Sequence, residues 1–323
     1  MRSGLLDGSA PLVSVIVPSF NHAAYLRECV DSVLAQDHAP LEVIVVDDGS
    51  SDGSLDILRS YGSRITLVRQ RGGRQARARN LGLGVARGGL VAFLDSDDRY
   101  LPGRISAAVA AFDAAPDAGV VWADYRSIDA AGRVLGDGRE GRWAGHGTAG
   151  LDQAKVFARV LLAGNPICNA TATARRAVLD EIGGFDERVP RVCDGAAWYQ
   201  IAARGHRFIH LDRLVLDYRL HGSNDSARFA AMTRDRDTAL LSAAQAYVQR
   251  GLLAGEADLA WLRGALVRQF AFRAAAWAQR ALAPAGVASA WRARAYEALG
   301  SDAGLRMFAA LKAAKSWLQR VPT

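Results

Sequence analysis

The chain has 323 residues, half of them hydrophobic and 23% charged. That composition excludes a disordered or fibrous protein and leaves room for one large or two modest domains. The formal charge of +7 and an isoelectric point near 9.6 suit anionic partners such as nucleotides, phospholipid surfaces or nucleic acid. Cys29, Cys168 and Cys193 are widely spaced with no CxxC pair, which argues against a disulfide framework or zinc site and fits a reducing compartment. The N-terminus lacks the succession of a signal peptide, and no apolar run approaches bilayer-spanning length, so a cytoplasmic protein is expected.

Val13–Pro18 (VSVIVP) is a β-branched run that predicts the first strand. Leu26, Val30, Val33 and Leu34 then fall at i, i+4, i+7 and i+8, one apolar stripe of a helix that His38-Ala39-Pro40 breaks. Leu41–Val46 is the second strand, and it runs into the acidic, small-residue turn Asp47-Asp48-Gly49-Ser50-Ser51-Asp52-Gly53. A short helix near Ser54–Ser60 and a strand at Ile65–Arg69 follow. Gln70–Asn80 carries Arg71, Arg74, Arg77 and Arg79. It reads either as a helix start offering cations and amides to a diphosphate or, for most of these arginines, as a solvated basic face.

Leu90–Leu94 is short, apolar and without helical period, the pattern of a central strand buried on both faces of a parallel sheet. Asp95, Asp97 and Asp98 arrive immediately after it. Three carboxylates so close repel one another and need a cation or hydrogen-bond donors. The carboxyl end of a strand is also where ligands sit in an open α/β sheet. A divalent metal holding a phosphorylated substrate explains the cluster; an acidic loop capping the next helix is the plainer alternative.

That helix begins at Pro102, with Leu101, Ile105, Ala108, Val109 and Phe112 on one stripe. Gly119–Ser127 is a strand that Asp129–Gly132 turns back towards Val134-Leu135, and Arg139–Gly150 is a Gly- and Arg-rich surface loop. Leu151–Ala163 is amphipathic, Asn169–Ala174 reads as a strand with Thr171 and Thr173 on one face, and a helix over Arg176–Ile182 stops at Gly183-Gly184. Asp194 precedes a helix with Ala197, Trp198 and Ile201 on its apolar side, and Phe208–Tyr218 is the last strand region. Beyond about Arg228 the strand pattern disappears and Ala, Arg, Leu and Trp dominate. The expected division is therefore residues 1–227 as an α/β domain and 228–323 as a helical appendage. The final helix puts Met307, Leu311, Ala314 and Leu318 on one stripe and carries Arg306, Lys312, Lys315 and Arg320. Its ordinary core spacing favours packing against the α/β domain or self-association over peripheral contact with an anionic membrane.

In this order, VSVIVPSFNHAAYL, VIVVDDGSSDGS, ARNLGLGVARGGLVAFLDSDD, EIGGFDE and YRLHGSNDS resemble family 2 glycosyltransferases over roughly Pro11–Ser226. The resemblance implies a GT-A fold, a Rossmann-like mixed sheet flanked by helices, and inverting transfer from a nucleotide-diphospho-sugar, most often a UDP-sugar, to a glycan or lipid-linked acceptor. It implies that Pro18, Asn21, Asp48, Arg79, Asp95 and Ser96 line the donor, with Asp48 on the base and Arg79 near the diphosphate. It implies that Mn2+ or Mg2+ binds Asp97, with Asp95 and His221 as further candidate ligands, and that Asp98 supports them. Asp194 matches the family's catalytic base. Many relatives have Glu where this chain has Cys193, and Gly195-Ala196-Ala197 are smaller than usual. No QxxRW motif follows, so the membrane-embedded processive synthases are poor models. A catalytically inactive nucleotide-sugar-binding scaffold is the alternative, with Cys193 its main support, and a nucleotidyltransferase is weaker because no G-x-G-type triphosphate loop opens the chain. Scattered basic residues without a recognition module argue against nucleic acid as a partner.

Overall fold

The computed structural model describes residues 10–135, 165–222 and 229–262, together with residues 158, 161, 162, 265 and 266. The expected loop at 139–150, most of the expected helix at 151–163, Ser226 and the helices beyond 266 lie outside the described residues. The elements are, in chain order, β1 (Val13–Ser19), α1 (Ala23–Leu34), β2 (Leu41–Asp47), α2 (Ser54–Arg59), β3 (Thr66–Arg69), α3 (Arg74–Val85), β4 (Leu90–Phe93), β5 (Arg99–Tyr100), α4 (Arg104–Ala114), β6 (Ala118–Ile128), β7 (Thr173–Arg175), α5 (Arg176–Glu181), α6 (Cys193–Ala203), β8 (Arg207–Arg219) and α7 (Phe229–Gln249).

The strands form one sheet in the order β3-β2-β1-β4-β7-β6-β8-β5. β1 pairs in parallel with β2 and β4, whereas β7 runs antiparallel to both β4 and β6. β4 is buried along its whole length, as its sequence demanded. The all-parallel setting expected for it is corrected: one of its two neighbours is antiparallel. Alternation along β1 sends Val13, Val15 and Val17 to the face covered by α1 and α4, and Ile16 to the other. That second face packs Phe93, Trp122, Trp198 and Ile201 into one core.

Two further expectations change. The strand predicted over Asn169–Ala174 is a 3-10 turn at Asn169–Thr171 followed by β7. Both the backbone N–H and the hydroxyl of Thr171 donate back to the Cys168 carbonyl, so the chain turns before Thr173 can pair with Ala92. The helix expected from Pro102 starts at Arg104, after Gly103 at φ +75°. Between Asp98 and this helix the chain first runs through β5, which pairs with Leu216 and Asp217 of β8. Gly183 and Gly184 do close α5 with positive φ, as predicted.

Leu240, Ala243, Ala244 and Tyr247 of α7 are buried in the same core as Trp198 and Ile201 of α6. Asp235 accepts from the Arg191 backbone N–H and pairs with its guanidinium at 3.6 Å, tying α7 to the loop that leads into α6. Among the described residues no helix is long and apolar enough to cross a membrane, and all three cysteines are free thiols.

α3 lies tightly against β1 because of Gly82: a Cβ there would sit 2.5 Å from Cγ2 of the buried Ile16. Gly82→Ala gains up to ~1 kcal/mol of helix propensity, but overpacking costs about 1–3 kcal/mol. A net loss of about 1–2 kcal/mol is expected in denaturant unfolding.

Candidate active site

The carboxyl ends of β1, β2 and β4 meet at one rim, and hydrogen bonds between their loops fix its shape. Asn21 has a left-handed backbone (φ 54°), which Asn tolerates better than most residues. Its N–H donates to Ser50 Oγ at 3.0 Å, and its Oδ1 accepts from the Ser51 N–H at 2.8 Å. Asp52 receives the Ala23 N–H at the start of α1. Asp48 accepts the N–H groups of Gly73 and Arg74, each at 2.8 Å, one on each carboxylate oxygen. Those bonds hold Arg74 at φ 59°, a conformation that costs about 1–2 kcal/mol outside glycine. Asp48 is half-buried and keeps lone pairs for a further donor. Pro18 is buried in β1 opposite Val46, and the exposed Phe20 projects from the rim beside it.

Of the four arginines in Gln70–Asn80, Arg71, Arg74 and Arg77 are exposed and Arg79 is buried. Arg79 Nη2 donates to Asp95 Oδ1 at 2.9 Å and Nη1 to Cys193 Sγ at 3.1 Å. Its guanidinium also faces the Phe185 ring at 5.7 Å. Burial pushes the Asp95 carboxyl up; Arg79 pulls it down, and the charges of Asp97 and Asp194 raise it again. Burial pushes the Cys193 thiol up to about 11 against the pull of Arg79, so at neutral pH it is an uncharged acceptor. Asp194, in the first turn of α6, is half-buried, and no hydrogen bond to its carboxylate exists among the described residues. The sequence-distant Asp95 and Asp194 are thus brought together around one cation.

Asp97 stands apart from that pair. Its Oδ2 meets His221 Nε2 at 3.0 Å, and its Oδ1 lies 4.0 Å from His22 Nδ1. One ligating atom from each of His22, Asp97 and His221 lies within 4.8 Å of the others. Two imidazoles and a carboxylate at that spacing are a donor set that a divalent transition-metal ion fits. Ser96 is buried, with its hydroxyl 2.8 Å from His22 Nδ1. Asp98 lies behind: its Oδ1 accepts the Arg219 N–H at 2.8 Å, and burial together with Asp97 and Asp95 pushes its carboxyl well up. The buried Arg219 side chain donates to the Asp97 carbonyl and to Glu28, and stacks on Tyr25. It fixes the strand end that carries His221. Sequence reasoning named Asp97 and His221 and missed His22. The signal was available, since His22 follows Asn21 directly in SFNHAAYL, but a lone histidine at a helix start has no period to mark it.

A mixed sheet of this order, with acidic tips on β2 and β4 either side of β1, has the architecture of a GT-A glycosyltransferase fold. The chain belongs to glycosyl transferase family 2, whose family model matches residues 14–182. It is 31% identical over 234 residues to an uncharacterised glycosyltransferase of Nostoc sp., covering 70% of each chain. It is 29% identical over 223 residues to the chondroitin synthase of Escherichia coli, matching 68% of this chain and 30% of that protein. The chain thus spans less than a third of that synthase's length. Among solved structures it is similar to S. aureus TarS 1-349 in complex with UDP-GlcNAc, with TM-score 0.61, 22% identity, and 80% and 73% of the two chains covered. It is also similar to the mannosyltransferase PcManGT of Pyrobaculum calidifontis in complex with GDP-Man and Mn2+, with TM-score 0.56, 23% identity, and 97% and 88% covered.

Replacing Arg79 with Met strands the Asp95 carboxylate. A loss of about 3 kcal/mol is expected at pH 7, the low end for a broken buried pair because the Asp95 side chain is 27% exposed. Protonating Asp95 removes the stranded charge, so the deficit relative to the parent chain narrows as the pH falls through the Asp95 titration. Urea unfolding of both proteins at pH 7 and pH 5 measures the difference.

Proposed function

We propose that the chain transfers a sugar, with inversion, from a nucleotide-diphospho-sugar to a hydroxyl of a glycan or lipid-linked acceptor, with Asp194 as general base. UDP-sugars are the proposed donors, because the family uses uridine donors most often, and the cytoplasmic side of a membrane the proposed place of action. The observation that carries the reading is the Asp194 carboxylate, which has no hydrogen-bond partner among the described residues and is held beside Asp95 through Cys193 and Arg79.

In this scheme the rim of Asn21, Asp48 and Ser51 receives the nucleoside, with Asp48 accepting an imide N–H of the base. Asp97 and His221 would hold Mn2+ or Mg2+. When bound, that cation offsets the charge that grows on the departing diphosphate. The buried Arg79 cation lies behind Asp95 and adds fixed positive potential on the donor side. Asp194 takes the proton as the acceptor oxygen bonds to the anomeric carbon and the carbon–phosphate-oxygen bond breaks. A single displacement with base and diphosphate on opposite faces of the sugar inverts that carbon and needs no covalent nucleophile.

A second reading, a nucleotide-sugar-binding scaffold without turnover, is favoured only by Cys193 standing where many relatives carry Glu. Incubation with a panel of nucleotide sugars, an acceptor mixture and Mn2+ or Mg2+ separates the two. The transferase reading expects metal-dependent release of nucleoside diphosphate, and donor binding without release supports the scaffold.

Asp194→Asn is expected to leave donor affinity nearly intact and to cut turnover by about 10²–10⁴-fold. Calorimetry of donor binding beside a diphosphate-release assay measures both, and normal turnover in the variant removes Asp194 from the role. Asp97→Asn is expected to weaken cation-dependent nucleoside diphosphate binding by at least about tenfold, visible in the same calorimetry with and without Mn2+.

A further inference from the structure

We propose that His22 is a third protein ligand of the divalent cation, completing with Asp97 and His221 a site of two imidazoles and one carboxylate from which Asp95 is excluded. The inference rests on the metal-dependent reading above and adds to it the ligand set and the class of ion preferred.

The geometry is that of a single shared carboxylate. His221 approaches Asp97 Oδ2 and His22 approaches Oδ1, so the two imidazoles flank the same group from different sides. The rings stand edge to face with centroids 5.6 Å apart, and Tyr25 packs on His221 at 4.9 Å. Each contributor comes from a different segment, and Arg219 ties two of them together. His22 precedes α1, whose first N–H is held by Asp52. Asp97 follows β4, and its carbonyl is held by Arg219. His221 follows β8, whose last residue, Arg219, is held by Asp98 and Glu28. Ser96 Oγ contacts the same Nδ1 that faces Asp97, so a cation bound at that nitrogen takes the place of this contact.

Asp95 is the residue that two closely spaced aspartates would lead one to add. Its Oδ1 is instead engaged by a guanidinium that is itself 2% exposed. A cation drawn to Asp95 would have to share it with that buried positive charge, and repulsion between the two disfavours the arrangement. One carboxylate and two neutral imidazoles carry a single negative charge. A divalent ion there keeps a net positive charge, which attracts a diphosphate.

Donor chemistry then sets the choice of ion. Mg2+ favours carboxylate, carbonyl and water oxygens, whereas imidazole nitrogens raise affinity for first-row transition ions. The site is expected to take Mn2+ in preference to Mg2+.

The test uses the full chain with Mn2+, in the presence and absence of UDP or GDP. Electron spin echo modulation of bound Mn2+ reports coordinated imidazole nitrogens directly, without reference to turnover. Two coordinated nitrogens are expected in the parent chain and one in each of His22→Asn and His221→Asn. Mn2+ affinity should fall at least about tenfold in either variant, and Mg2+ in large excess should displace Mn2+ poorly. His22 occupies the N-cap position of α1 without a side-chain capping bond, and Asn is a favoured cap, so the helix start tolerates the change. Should the variant fail to fold, the spectrum of the parent chain decides alone. One nitrogen in the parent chain, or unaltered affinity in His22→Asn, overturns the role of His22 and leaves the metal-dependent reading intact. Absence of any Mn2+ binding, with or without nucleotide, overturns both.

Discussion

A buried guanidinium with two partners on different parts of the chain organises this molecule. Removing an arginine from water costs several kcal/mol unless its donors are matched. Arg79 meets part of that cost with Asp95 from the β4 tip and Cys193 from the start of α6, its buried Nε finding no partner among the described residues. The arginine is held in place because α3 rests on β1 through Gly82 and cannot drift outward. Asp95 and the helix that carries Asp194 are therefore referenced to one atom group and one sheet strand. The thiol is a weak, neutral acceptor, so a single negative charge, that of Asp95, balances the cation directly.

A second network does the same work for the proposed cation site. Asp217, fully buried, pairs with Arg99 and Arg126, while Glu28 reaches both Arg99 and Arg219. These groups clamp β5 against the end of β8 and hold Asp97, Asp98 and His221 in register. Ion pairs of this kind add little net stability against a well-packed apolar alternative, but they are directional. Direction is what a constellation assembled from α1, the β4 loop and β8 requires.

Much of this was legible in the order of residues. β1, β2 and β4 announced themselves as β-branched or apolar runs, and the carboxylates at the ends of β2 and β4 marked the ligand side of the sheet. The paired glycines after α5 and the carboxylate in the first turn of α6 were equally plain. What could not be read depends on partners far apart in the chain. Arg79 and Cys193 are 114 residues apart, and nothing local distinguishes this arginine from its exposed neighbours. β5 is two residues long and exists only because β8 lies beside it. The turn at Asn169–Thr171 hides in a sequence with respectable strand propensity, because Thr171 satisfies its own hydrogen bonds locally. His22 was passed over because its place beside Asp97 and His221 depends on residues that converge from far along the chain.

The way α7 is seated has a bearing on how such chains can be cut and joined. Its apolar residues join the core that α6 shares with the sheet, Ala239 packs with Val192 and Ala196, and Asp235 grips the approach to Asp194 through Arg191. A fragment ending before α7 would uncover the apolar surface around Val189, Val192 and Ala196 and lose the buttress behind the helix of the proposed base. Fusion proteins and minimal versions of this chain must accordingly carry the first helical segment along with the α/β sheet.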